Sequence, residues 1–74
     1  MNVGDALDVA RKFIVIKLNG ASGSINPLSA LYDPGRSEWT LKFWFQKVGE
    51  TAWRTVQMTI DDSNQEVRSF NVAA

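Results

Sequence analysis

Apolar residues recur at three- and four-residue spacing through the first part of the chain, which is the period of an amphipathic helix. This pattern predicts a helix over residues 3–18, with Asn2 as its N-cap and Gly20 just beyond its end. The alternative is a strand over residues 12–18, because this stretch holds three consecutive β-branched residues. The apolar stripe consists of Val3, Ala6, Leu7, Ala10, Phe13, Ile14 and Leu18.

From residue 25 onward apolar and polar side chains tend to alternate, which is typical of antiparallel strands with one buried face. The pattern predicts strands at residues 25–32, 37–47, 51–60 and 66–72. Pro27 cannot donate to a strand ladder, so the first strand should lie at a sheet edge. The predicted fold is α+β, with one N-terminal helix packed on a four-stranded antiparallel meander. Residues 1–74 are expected to form a single small domain.

Side-chain parity divides the predicted sheet into an inner face, covered by the helix, and an outer face. A turn at Gly49 of two or four residues sets Leu41 across from Val56 and Trp44 across from Trp53. A slip by one residue would turn every apolar side chain of a strand outward, so parity is strongly constrained. The predicted inner set is Leu28, Ala30, Trp39, Leu41, Phe43, Val56, Met58, Ile60 and Phe70.

The first hairpin is predicted from the turn at residues 33–36. Proline at the first corner and Gly35 at the second favour a tight turn in which the glycine takes a positive φ. This turn sets Ala30 across from Trp39 and Leu28 across from Leu41. Both pairs agree with the inner face.

The predicted outer face carries two tryptophans, Trp44 and Trp53, surrounded by Lys42, Thr55 and Gln57. Opposed aromatic residues stabilise a sheet, so the pair has a purely structural interpretation. Tryptophan is also enriched at binding hot spots, which favours a surface for a protein partner or for self-association. Burial of both rings by the chain itself is the third possibility.

Composition removes most chemistry from consideration. The chain has no cysteine and no histidine, so it lacks thiolate ligands and the commonest general base and metal ligand. The polar turn with Asp61, Asp62 and Asn64 has too few ligands and no glycine bend for a tight calcium loop, and turn chemistry explains these residues. We therefore expect neither an enzyme, nor a metal site, nor a cofactor.

Charge and hydropathy bear on partners and location. Eight basic and eight acidic residues cancel, which argues against nucleic acid as a partner. RNA binding through stacked aromatics is the alternative, and it would need the two outer tryptophans with Lys42. No apolar run is long enough for membrane insertion, and no signal-peptide pattern is present. A cytoplasmic protein and a domain of a longer protein fit equally well, so the location is unknown.

Arg54 has the parity of the inner face. We expect it opposite Phe43, with its aliphatic stem covering that ring and its guanidinium reaching water.

The order of elements and the segment Ile60-Asp61 to Val67 resemble the PepSY domain family. Its members place a helix before a short antiparallel sheet, and their strands often end in an apolar residue, Asp, a polar turn, Gly, a variable residue and Val. Gln65 stands where glycine is usual, which implies a different turn geometry. The aromatic strand from Trp39 to Phe45 is similar to the family's central strand. The resemblance implies a non-catalytic domain of the kind found in protease propeptides and cell-envelope proteins, regulating peptidases.

Overall fold

A computed structural model describes residues 1–73; Ala74, the last residue of the predicted domain, lies outside the described residues. Helix α1 spans Val3–Lys17 and is followed by β1 (Gly20–Asp33), β2 (Glu38–Lys47), β3 (Arg54–Asp61) and β4 (Glu66–Ala73). The strands form one antiparallel sheet in the order β1-β2-β3-β4, with α1 packed on one face. The α+β prediction is confirmed, and so is the edge position of β1.

Helix α1 begins with a reciprocal capping box. The side-chain oxygen of Asn2 accepts from the Asp5 backbone nitrogen at 2.9 Å, and an Asp5 carboxylate oxygen accepts from the Asn2 nitrogen at 3.2 Å. The prediction that Gly20 is the residue just beyond the end of the helix is wrong. Leu18 is the C-cap, and Asn19, with φ of 56°, takes the left-handed conformation that follows it.

Gly20 has a different role, which is to let β1 pass close to the helix. An alanine Cβ at this position would lie 2.5 Å from Cγ2 of Ile14, and Ile14 is fully buried. Strand β1 therefore starts at Gly20, earlier than the predicted residue 25, with Gly20 paired to Lys47. The small residues 20–24, which lay outside the predicted strands, belong to β1.

The predicted register of β2 against β3 is wrong by two residues, although its parity is correct. Leu41 faces Met58, and Trp44 faces Thr55 instead of Trp53. The difference comes from the loop at residues 48–53, which is longer than a tight turn. A bond of 2.8 Å from Gln46 Nε2 to the Thr51 carbonyl oxygen supports this loop.

The register of β1 against β2 is also displaced by two residues near the turn. Ala30 faces Leu41 instead of Trp39, because the turn continues to Ser37, which has φ of 49°. Among residues 1–73, Gly49 is the glycine with positive φ, so the assignment of that conformation to Gly35 is wrong.

A register shift between Pro27 and Ser29 leaves Leu28 bulged and 45% exposed. Its predicted inner position is wrong.

The core lies between α1 and the middle strands, as parity predicted. Ala30 and Trp39 pack at its margin, while Phe70 faces the helix side but stays 51% exposed at the β4 edge. Ile25, absent from the predicted inner set, contributes to the core from β1. The buried residues are Ala6, Ala10, Ile14, Ile25, Leu41, Phe43, Phe45, Val56, Met58 and Ile60.

The turn between β3 and β4 bears on the glycine expected by resemblance. Gln65 has φ of 56°, the left-handed conformation that glycine adopts most easily. Its backbone nitrogen donates to the Asp61 carbonyl oxygen at 2.8 Å. A non-glycine residue here carries a local strain that the rest of the turn must offset.

Candidate binding surface

The outer face of the sheet, on the side away from α1, holds the five residues proposed from sequence as a binding surface. Lys42 and Gln57 are opposite each other on β2 and β3 and are exposed, while Thr55 is partly buried opposite Trp44. Strand pleating places these side chains on one face because each is separated from the next along its strand by one inward residue. The structure thus brings Lys42, Trp44, Thr55 and Gln57 together on the central strands.

Trp53 joins this group from outside the regular strand, since it precedes the first residue of β3. Its ring centroid lies 6.5 Å from that of Trp44, with 47° between the ring planes. Aromatic pairs attract each other at such separations. The two rings are therefore neighbours, although their residues are not direct cross-strand partners.

Both tryptophans remain substantially open to solvent. Trp44 is 50% exposed and Trp53 is 48% exposed, whereas Trp39 on the inner face is partly buried. Complete burial of the two rings by the chain itself is excluded for the isolated molecule. The surface combines two large aromatic faces with short hydroxyl and amide side chains, a composition that suits the anchor and rim of a protein interface.

Leu31 is an outer-face residue that the proposed site omitted. It lies opposite Thr40 and is 69% exposed. The sequence could have identified Leu31 as an outer-face residue, because it directly follows Ala30, which was predicted to face inward. With Leu31 included, apolar side chains occur on both β1 and β2 of the outer face.

One end of the outer face is closed by an ion network centred on Arg68. Its guanidinium donates to Asp61 and, at 2.9 Å, to Glu38. The other Asp61 carboxylate oxygen accepts from the backbone nitrogens of Ser63 and Asn64 at 2.8 and 3.1 Å. The Asn64 bond, followed by the Arg68 bond, lowers the pKa of Asp61.

Asp62 points to a different environment from its neighbour Asp61. Its Oδ1 accepts from Trp39 Nε1 at 3.0 Å and from the N-terminal ammonium at 3.3 Å. The Trp39 bond is the largest cause that lowers the pKa of Asp62. Asp61 and Asp62 therefore accept hydrogen bonds from separate sets of protein donors.

Within residues 1–73 no group of three or more potential metal-ligating side chains comes together. Nor does that part of the chain include a helix of the length and apolarity needed to cross a bilayer.

Arg54 lies on the inner side at the start of β3, opposite Phe45 instead of the predicted Phe43. One of its terminal nitrogens donates to Glu50 at 3.0 Å, which ties the loop to the strand. Its Nε is buried and, within the described residues, has no hydrogen-bond partner. These contacts indicate a packing and loop-anchoring residue.

Comparisons of the chain with protein-family models, with curated proteins and with solved structures found no match.

Proposed function

We propose that the chain is a non-catalytic binding module that docks a protein partner on its outer face. The observation that supports this proposal is the pair Trp44 and Trp53, two half-exposed indole rings 6.5 Å apart on the outer face. Tryptophan contributes more often than other residues to interface hot spots, because it buries a large area with few rotatable bonds. Lys42, Gln57 and Thr55 form the polar surroundings of that anchor.

A protein partner accounts for this surface better than RNA does. The chain has zero net charge, and Arg68 at the end of the face is already engaged by two carboxylates. Nucleic acid binding draws most of its affinity from unpaired cationic groups near phosphates. The outer face offers Lys42 in its centre and hydroxyl or amide groups around it.

Peptide selection provides a direct test. A random peptide library is panned on the immobilised wild-type protein alone, and the selected peptides are then measured against the double variant Trp44→Thr, Trp53→Thr. Threonine retains strand propensity, and loss of the aromatic pair should cost about 1 kcal/mol at most, so the variant should fold. Selected peptides should shift the tryptophan emission of the wild type and should bind the variant at least about 30-fold more weakly, as expected for a hot-spot residue.

Iodide quenching checks the surface before any partner is known. In proteins that keep one tryptophan each, Trp44 and Trp53 should be quenched strongly and Trp39 weakly, in line with their exposure.

Peptides that bind the double variant equally well would refute the proposed surface. Loss of a concentration-dependent dimer in the same variant would instead support a homo-oligomer that buries its tryptophans.

The resemblance to PepSY domains supports a peptidase as the class of partner. The expected result is that the wild-type protein changes the turnover of a purified peptidase, whereas the double tryptophan variant does not. If both proteins changed the turnover of the peptidase equally, the outer face would not be the surface that regulates it.

A further inference from the structure

The two edges of the sheet differ in how well they are protected against pairing with another strand. β1, at one edge, contains Pro27, a bulge at Leu28 and a second irregularity between Gly20 and Ile25. Proline, bulges and charges are the usual devices that prevent edge-to-edge association. β1 therefore carries two of these devices within a single strand.

β4, at the opposite edge, is protected only in its first half. A register shift occurs at Arg68, and Glu66 and Arg68 are its charged residues. Residues 69–73 then pair regularly with β3 and contain no proline, glycine or charge. Within residues 1–73 no strand pairs with the other side of this run, so its outward-facing backbone donors and acceptors lack a strand partner there.

Apolar side chains accompany the open edge on the helix side. Phe70 is 51% exposed and packs edge-on against Phe13, with the ring centroids 5.0 Å apart. Phe13 also lines a groove of about 390 Å³ between α1 and the first half of β4, outside residues 69–73. Ile16 and Val67 border this groove together with the charged Lys12, Lys17 and Glu66. Phe70 is thus an apolar side chain that remains half exposed at the β4 edge of the sheet.

From this asymmetry we infer that a second copy of the chain pairs with β4, antiparallel and about a two-fold axis at Asn71. A two-fold axis places equivalent residues opposite one another, so a like charge in the paired run would oppose the association. Residues 69–73 contain no charge, so no like charges would oppose each other along this run. Phe70 of each copy would lie beside Val72 of the other and lose its exposure.

The resulting eight-stranded sheet would keep both outer faces open on the same side. This inference is independent of the proposed function, because pairing through β4 leaves Trp44 and Trp53 uncovered. A strand of this length makes a small interface, so the dissociation constant should be micromolar or weaker.

Charge substitution at the axis tests the inference. Sedimentation of the wild type should show a dimer as the concentration rises from micromolar to millimolar. Asn71→Lys and Asn71→Glu should each weaken it by about tenfold or more, since like charges would face each other across the axis. An equimolar mixture of the two variants should dimerise again, because the charges are then opposite.

Controls separate this edge from other surfaces. Ser29→Lys and Ser29→Glu place the same charges on the outer face of the β1 edge and should leave the dimer unchanged. The double variant Trp44→Thr, Trp53→Thr should dimerise like the wild type. Circular dichroism melts verify that every variant is folded.

Amide exchange of residues 69–73 should slow as dimer forms, while that of β1 stays constant. A wild type that is monomeric at millimolar concentration overturns the inference. So does a dimer that the Asn71 charges leave intact, or one that only the tryptophan substitutions remove.

Discussion

Replacement of Gly20 by alanine tests the closest packing in the molecule. The added methyl group would lie 2.5 Å from Cγ2 of Ile14 and 3.1 Å from the Ile14 carbonyl oxygen. Contacts this short force one partner to move. Ile14 is fully buried near the C-terminal end of α1, so its side chain cannot move into solvent.

The expected cost follows from two opposing effects. Overpacking of a well-packed core costs about 1–3 kcal/mol. Alanine also restricts the unfolded chain, which returns about 0.4–1 kcal/mol where the backbone tolerates it. With the middle of each range, the net destabilisation should be about 1.3 kcal/mol, and the melting temperature should fall by about 5–10 °C for a domain of this size.

Urea unfolding followed by tryptophan fluorescence measures this change. Gly23→Ala is the matched control, because its added methyl group would meet no atom within 4 Å and Gly23 lies in the same strand. The control should be as stable as the wild type or slightly more stable.

A double-mutant cycle identifies the contact. Ile14→Leu moves the branch away from Cβ and removes Cγ2, and should cost less than about 1.5 kcal/mol alone. Combined with Gly20→Ala it should destabilise by clearly less than the sum of the single changes. Strict additivity, or a Gly20→Ala protein as stable as Gly23→Ala, would refute the close approach of β1 to α1.

Four further substitutions have expected outcomes. Leu41→Ala removes a fully buried side chain and should lower the unfolding free energy by about 2–5 kcal/mol. Leu31→Ala changes a largely exposed side chain and should leave the denaturation midpoint nearly unchanged. Equal midpoints for the two variants would contradict the assignment of their faces. Gln65→Gly should raise the unfolding free energy by about 1 kcal/mol, because φ of 56° is strained for glutamine; a lower melting temperature would contradict this. The pKa of Asp62 is lowered in the folded state, so its contribution to stability is present above its ordinary value of 3.8 and is lost as the pH falls through the lower folded value. Asp62→Asn should therefore flatten the acid side of the stability–pH curve, and an unchanged slope would mean that its bond to Trp39 is not maintained in solution.

The sequence by itself determined the elements that depend on local periodicity. The three- and four-residue spacing identified α1, Asn2 was correctly assigned as its cap, and strand parity placed Leu41, Phe43 and Val56 inside. Trp44 and Trp53 were assigned to the outer face for the same reason, because pleating alternates side chains whatever the register is. These properties need only the neighbours of a residue along the chain.

Register was decided only by the tertiary structure. Parity allows any shift by two residues, so the choice between partners depends on the lengths of the connecting loops. In the structure the loop after β2 is supported by the Gln46 bond to Thr51, and the turn after β1 extends through the left-handed Ser37.

Contacts between residues that are distant in the sequence were also revealed only by the tertiary structure. Gly20 is needed because β1 passes beneath Ile14, and Asp62 is anchored because β3 ends beside Trp39 and the N-terminus. The contrast between the two sheet edges is a property of the same kind. Pro27 and the predicted meander already place β1 and β4 at the edges, but the bulge at Leu28, the register shift at Arg68 and the exposure of Phe70 required the structure. Periodicity describes what one residue presents to its own strand or helix, and the three-dimensional structure decides what that side chain meets.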